Sequence, residues 1–326
     1  MTKKVSILDF FRLEKKPHHG LFGIEWVVVG YTILTLLTIL FISTKLQHAD
    51  ALIWGRLRVL ACTLGLWVVY RLLPCRATRL LRVLVQLLLL GWWYPDTFEI
   101  NRVFLNLDHL FASAEQSIFG CQPALLFHQT LPWHWFSELM DLGYASYYPL
   151  IAMVTLFYFV SRYAEFERAS FVILASFFAY YVVFIYLPVT GPQYYYQAVG
   201  VGDIAKGIFP NLADYFATHA ERMTSPGWND GLFYHLVEQA HDAGERPTAA
   251  FPSSHVGITT ILMLLAWHSG SKKLFFIMLP LYLLMYFATV YILAHYAIDA
   301  IAGLVSGVVF YFLFMAMSKN MIIGKK

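Results

Sequence analysis

The stretch VYILAHYAIDAIAG (290–303) is apolar, aromatic or small throughout, except for His295 and Asp299. Four positions separate the two, a spacing that predicts one shared helical face. Ionisable groups inside a membrane-length apolar run are costly to bury, and their default reading is functional. Two competing readings are a buried polar pair that locks neighbouring helices, and a zinc site built from two histidines and an aspartate.

Working outward, the whole chain supports the membrane reading. Its 326 residues are 59% hydrophobic and 13% charged, with a mean hydropathy of +0.59. Soluble domains carry about a quarter charged residues. The net charge of +3 is small. No basic block interleaved with aromatics suggests nucleic acid as a partner. The first 20 residues are polar and basic, and no small-residue cleavage site follows the first apolar run, so no cleavable signal is expected.

Apolar runs near bilayer length predict an all-α polytopic bundle of about eight transmembrane helices. They fall at 25–42, 52–70, 80–94, 142–161, 170–189, 253–268, 274–294 and 297–317. The third is short and contains Arg82. Residues 95–141 and 190–252 are too polar to cross. With eight spans both termini share a side, which holds 16 of the 23 lysines and arginines. The positive-inside rule then makes the termini cytoplasmic and turns both long loops outward. The chain divides into a cytoplasmic basic tail (1–24), N-terminal transmembrane helices (25–94), a catalytic region (95–317) and a second cytoplasmic tail (318–326). Cys62, Cys75 and Cys121 fall in a span, inside and outside respectively, which predicts unpaired thiols.

The last three spans bring two distant motifs together. FPSSHVGITT (251–260) starts the sixth span with His255 at its outer end, and HSGSKK (268–273) turns at the cytoplasmic side. The seventh span returns to deliver His295, and the eighth opens with Asp299 in its first turn. His255, His295 and Asp299 are therefore predicted to meet at one depth on the outer face. A carboxylate on one ring nitrogen fixes the tautomer and leaves the other nitrogen nucleophilic. His255 is placed to protonate a leaving oxygen. Pro252, Ser253 and Ser254 read as a helix start, whose N–H groups and dipole suit phosphate. The implied chemistry is phosphoryl transfer through a phosphohistidine, with no cofactor and no obligatory metal.

These motifs resemble the type 2 phosphatidic acid phosphatase superfamily. PSSH (252–255) is similar to its P-S-G-H motif, and HYAID (295–299) to the His-x-x-x-Asp end of its third motif. The resemblance implies a six-helix core with the site near the membrane face, His295 as nucleophile, Asp299 as its partner and His255 as acid. Two departures stand out. The Ser-Arg of the third motif is replaced by Ala288 and Thr289, and Arg246-Pro247 has Gln239 where the first motif places lysine. YLPVTGPQYYY (186–196), together with NLDHLFASAEQSIFGCQPALLF (106–127) and ELMDLGYASYYPLI (138–151), is similar to the inositol-phosphotransferase branch, which includes the fungal inositol phosphorylceramide synthases.

Arg246 is the candidate phosphate grip, with Arg102, Arg222 and Lys206 as other cations on the outer side. Gln193 and Tyr194 are candidate head-group contacts, although an aromatic belt explains the tyrosines equally well. LPWHWFSELMD (131–141) reads as an interfacial amphipathic helix. The expected activity is a lipid head-group phosphotransferase, taking a phospholipid donor and an alcohol or water acceptor. The alternatives are a lipid phosphate phosphatase and, from another class, a non-enzymatic lipid-binding membrane protein.

Overall fold

The computed structural model describes residues 10–323. The terminal lysines used to assign sidedness (Lys3, Lys4, Lys325 and Lys326) lie outside them. Among the described residues the chain is helical and no β-strand forms. The helices follow as α1 (Gly23–Ile42), α2 (Ala49–Leu72), α3 (Arg76–Leu88), α4 (Leu90–Asn101), α5 (Asp108–Phe119), α6 (Pro123–Thr130), α7 (His134–Ala145), α8 (Tyr147–Ser161), α9 (Phe166–Tyr186), α10 (Pro192–Val199), α11 (Val201–Ala205), α12 (Leu232–Gly244), α13 (Ser254–His268), α14 (Lys272–Tyr291) and α15 (Ala297–Met317).

Five of these regions are long and apolar enough to cross a membrane, led by α1, α2, α9, α14 and α15. The pair α7–α8, bent by 44°, makes a sixth if it counts as one span. This is an integral membrane protein with five to six candidate spans among the described residues, where the sequence predicted about eight. Two differences have physical causes. The predicted span at 80–94 breaks at Leu89 into α3 and α4, each far short of bilayer length. Its polar face turns inward because Arg79 and Arg82 are buried and paired. Arg79 bonds Glu14 at 2.6 Å and Glu167 at 3.2 Å, and Arg82 bonds Glu25. Buried charge persists only when paired in this way. The predicted span at 253–268 becomes α13, whose 15 residues extend about 22 Å.

The chain forms two compact units. One comprises the N-terminal part through Trp93, Thr155–Phe178 and the C-terminal segment from Leu313. It holds the arginine network. The other comprises Tyr94–Val154 and Ala179–Phe312, and it holds both sequence motifs. In the second unit a buried cluster that includes Val189, Tyr194, Tyr195, Tyr196, Val256, Leu293 and Tyr296 lies against the motif segments.

Close approach of α13 and α15 sets the distance between those motifs. A Cβ on Gly303 would stand 2.4 Å from the Ser253 carbonyl oxygen, and one on Gly307 2.6 Å from the Gly257 carbonyl oxygen. Glycines four residues apart let two helix backbones touch, as apolar helices do in lipid. The Tyr180 hydroxyl bonds Ser306 at 2.9 Å beside the same crossing.

Candidate active site

His295 does not lie on a helix. α14 ends at Tyr291 and α15 starts at Ala297, leaving His295 in the turn between them. The shared-face expectation for His295 and Asp299 is corrected accordingly. The turn is held by the His295 N–H, which donates to the Thr289 carbonyl at 3.0 Å, and by Leu293 at φ +67°. Ala249 stands at φ +71° on the facing segment. Non-glycine residues in this region cost about 1–3 kcal/mol each and gather at functional sites.

The facing segment supplies the partner of the imidazole. His295 Nδ1 lies 2.7 Å from the Ala250 carbonyl oxygen and 3.7 Å from Asp299 Oδ2. A carbonyl only accepts, so Nδ1 carries the proton and Nε2 keeps its lone pair. The sequence assigned this tautomer control to Asp299, and the structure gives it to a backbone carbonyl. Asp299 Oδ2 instead accepts the Tyr296 N–H at 2.8 Å, capping the start of α15. Burial, opposed by the Ala250 bond and by Glu245, depresses the basicity of His295 to a pKa of about 4.

Ser253 is the N-cap of α13, accepting the Val256 N–H at 3.4 Å, and its own N–H donates to the Asp299 carbonyl at 3.0 Å. The starts of α13 and α15 are thereby tied together. Ser254 opens α13, and His255 follows in its first turn, both half-buried. The His255 and His295 rings are 5.8 Å apart, centroid to centroid. Tyr144 stacks on His255 at 4.6 Å, and Tyr147 packs on it at 4.3 Å. His255 Nδ1 has no hydrogen-bond partner among the described residues.

The turn before α10 forms the adjoining wall. Gly191 stands at φ +93°, and a Cβ there would meet the Ala294 carbonyl oxygen at 2.7 Å. Glycine is required twice over, by conformation and by space. Gln193 and Tyr194 are both 2% exposed, so they belong to this wall and do not project outward. The Gln193 N–H donates to the Leu293 carbonyl at 2.9 Å. Burial pushes the Tyr194 hydroxyl well above the usual tyrosine range, so it stays protonated.

Sequence reading missed the residue that anchors this wall. Asp108 is fully buried and receives five donors: Asn106 Nδ2 at 2.6 Å, Thr190 N at 2.7 Å, Thr190 Oγ1 at 2.9 Å, Gly191 N at 2.9 Å and Tyr296 Oη at 3.0 Å. One carboxylate thus joins the glycine turn to the residue after His295. The available signal was an aspartate set between Leu107 and the apolar face of a short helix, in a stretch noted only for its family likeness. Glu115, Tyr144 and Tyr147 were also not singled out.

The candidate cations separate clearly. Arg222 is engaged by Glu238 at 2.9 Å and Asp242 at 2.8 Å, Arg102 by Glu99 at 3.5 Å, and Lys206 by Asp203 at 3.1 Å. Arg246 is half-buried and bonds the Glu245 carbonyl at 2.8 Å. Arg246 and Glu245 both act electrostatically on Tyr194, and Glu245 also acts on His295, so the pair lies within electrostatic reach of these residues. Among the described residues, no group of three or more His, Cys, Asp or Glu side chains is arranged to hold a metal ion.

The PAP2 superfamily profile matches residues 109–313, well over half of the chain, and the chain belongs to that superfamily. Its members are phosphatases or phosphotransferases that act on lipid phosphates in membranes. No curated protein and no solved structure matches the chain.

Proposed function

We propose that this protein is a lipid head-group phosphotransferase of the inositol phosphorylceramide synthase type, working through a phosphohistidine on His295. The observation that carries the reading is the bond from His295 Nδ1 to the Ala250 carbonyl, which leaves Nε2 as a free lone pair 5.8 Å, ring to ring, from a second histidine. Depressed basicity keeps His295 neutral at physiological pH, as a nucleophile requires.

In the first half-reaction His295 Nε2 attacks phosphorus. The bond to the leaving lipid oxygen breaks, and His255, whose basicity burial and His295 depress and the adjacent anionic phosphate restores, gives that oxygen its proton. The positive charge that His295 gains is offset by Asp299, 3.7 Å from Nδ1. In the second half-reaction neutral His255 takes the proton of an acceptor alcohol. The alkoxide oxygen bonds phosphorus, the P–N bond breaks, and His295 recovers its lone pair. The N–H groups of Ser254 and His255 in the first turn of α13 hold phosphate oxygens, with the Ser253 hydroxyl and Arg246 helping and Gln193 and Tyr194 in the head-group wall. Ala288 and Thr289 replace the serine and arginine that would grip a phosphomonoester dianion. A phosphodiester carries one negative charge and needs less cationic help.

The site lies at one end of the α13–α14 hairpin and the Ser269–Ser271 turn at the other, which fits catalysis on the outer membrane face with both termini cytoplasmic. The test is reconstituted protein given a phosphodiester lipid and a lipid alcohol. A new phospholipid should form faster than head-group phosphate is released. Rapid cleavage of phosphatidic acid to inorganic phosphate, with no transfer to added lipid alcohols, would make the protein a phosphatase. Absence of both reactions would leave a lipid-binding protein.

A further inference from the structure

We propose that Glu115 holds a proton and donates it as a hydrogen bond to Asp299, making Glu115 the positioning residue that leaves Asp299 as the single anion beside His295. The inference deepens the phosphohistidine reading and depends on it for its catalytic consequence.

Three carboxylates, Asp108, Glu115 and Asp299, are fully buried around the start of α15. None forms an ion pair with lysine or arginine among the described residues. Their hydrogen-bond donors are unequally shared. Asp108 receives five, as described above. Asp299 receives the Tyr296 N–H and faces His295 Nδ1. Glu115 receives the Ile298 N–H on Oε2, at 3.1 Å. One oxygen of each of the last two, Glu115 Oε1 and Asp299 Oδ1, has no partner among the described residues.

Glu115 and Asp299 thus cap N–H groups two residues apart at one helix start, and each leaves an oxygen unsatisfied. Two bare carboxylates sharing an apolar site cannot both ionise. A single proton satisfies both orphan atoms, with one carboxyl donating to the other. Burial weighs on both carboxyls, and Asp299 is the better anion because the imidazole 3.7 Å away turns positive when His295 is phosphorylated. Glu115 is the better acid, because only main-chain N–H groups oppose its burial. Burial first, and the charge of Asp299 second, raise the Glu115 carboxyl to a pKa of about 8. The other groups facing it are consistent with this. Tyr196 on α10 is buried, donates its hydroxyl to Gln122 Oε1 at 2.8 Å and stays neutral, and Asp108 acts on Tyr196 in turn.

The consequence is specific. While Glu115 keeps its proton, Asp299 is anchored on both oxygens and carries one charge to offset the phosphorylated imidazole. When the proton leaves, two carboxylates repel at the start of α15 and disturb the turn that carries His295. Glutamine mimics the protonated state, since its carbonyl accepts the Ile298 N–H and its amide donates to Asp299. Alanine does neither.

The experiment combines a pH profile with infrared difference spectroscopy on the full protein. Glu115→Ala should lose about tenfold or more of the transfer rate at neutral pH, and Glu115→Gln should recover most of it. Wild-type turnover should fall as pH rises through about 8, and that fall should be absent in Glu115→Gln. A protonated buried carboxylic acid should give a carbonyl band in wild type at neutral pH, absent in Glu115→Gln. In Asp299→Asn that proton should leave at lower pH, because a charge that retains it is gone. An alkaline fall unchanged in Glu115→Gln, or no carboxylic acid band assignable to Glu115, would overturn the inference. If wild type transfers nothing, the functional reading fails while the infrared band still decides the protonation of Glu115.

Discussion

The Ala250 carbonyl oxygen stands 2.7 Å from His295 Nδ1, a full ångström closer than the carboxylate of Asp299 at 3.7 Å. The backbone sets the tautomer and the acid contributes charge. That division of labour makes the two residues separable by mutation.

Asp299→Asn should therefore retain the productive tautomer. Its amide oxygen can still accept the Tyr296 N–H. Where a carboxylate alone fixes the tautomer, the same change costs about 10⁴-fold in kcat. Here a loss nearer about 10²-fold is expected, with a normal unfolding midpoint in detergent. His295→Ala should abolish turnover. A loss for Asp299→Asn as complete as that for His295→Ala would show that Asp299 controls the ring.

Gly303→Ala places a methyl 2.4 Å from the Ser253 carbonyl oxygen, a backbone atom that can yield only if α13 moves. Overpacking of this kind costs about 1–3 kcal/mol. Separation of His255 from His295 should lower kcat more than it raises KM. Gly65→Ala on α2, where an added Cβ meets nothing within 4 Å, serves as the comparison and should leave the rate ratio of the two half-reactions unaffected. Thermal unfolding and steady-state kinetics on both variants check this.

Acid should act on His295 in a defined window. Its folded pKa of about 4 lies below the reference value of 6.5, so the unfolded chain binds the extra proton first. The stability associated with neutral His295 is full above about pH 6.5 and declines as pH falls to about 4, by at most about 3 kcal/mol. Unfolding of wild type and His295→Asn, compared across that range, should show a steeper acid loss in wild type. Parallel curves would contradict the assigned burial of a neutral imidazole.

The arginines should behave differently. Arg246→Ala is expected to lower kcat/KM for a phosphodiester lipid by about 10- to 100-fold, with Arg246→Lys recovering part of it. Arg222→Ala breaks its pairs with Glu238 and Asp242 and should reduce stability more than it changes catalysis. Kinetics and unfolding midpoints on the two alanine variants distinguish a substrate contact from a structural ion pair.

Much of this was legible in the sequence because apolar run length and motif spacing survive folding. The hairpin between PSSH and HYAID, the helical class and the superfamily all follow from them. What escaped were features set by tertiary contact. The pattern at 80–94 could not show that Arg79 and Arg82 meet Glu14, Glu167 and Glu25, which turns a predicted span into two short helices. A four-residue spacing suggested one helical face, but Leu293 at φ +67° ends the helix before His295. Asp108 joins segments about eighty and nearly two hundred positions away, and no local pattern reports such a tie. The Ala250 carbonyl is invisible in any sequence, because every residue has one.

Sidedness is open to direct labelling. In a background lacking Cys62, Cys75 and Cys121, a cysteine at the exposed Asp230 should react with an impermeant thiol reagent in intact cells, and one at the exposed Lys273 should not. The reverse pattern would place the site on the cytoplasmic face.

The most direct measurement is capture of the covalent intermediate. Wild type and His255→Ala, mixed with a phosphodiester lipid and quenched rapidly in base, should carry an acid-labile head-group phosphate on the peptide containing His295, with faster decay in wild type when a lipid alcohol is added. His295→Asn should carry none. Turnover that proceeds with no adduct on His295, or with an adduct on another residue, would contradict the phosphohistidine account.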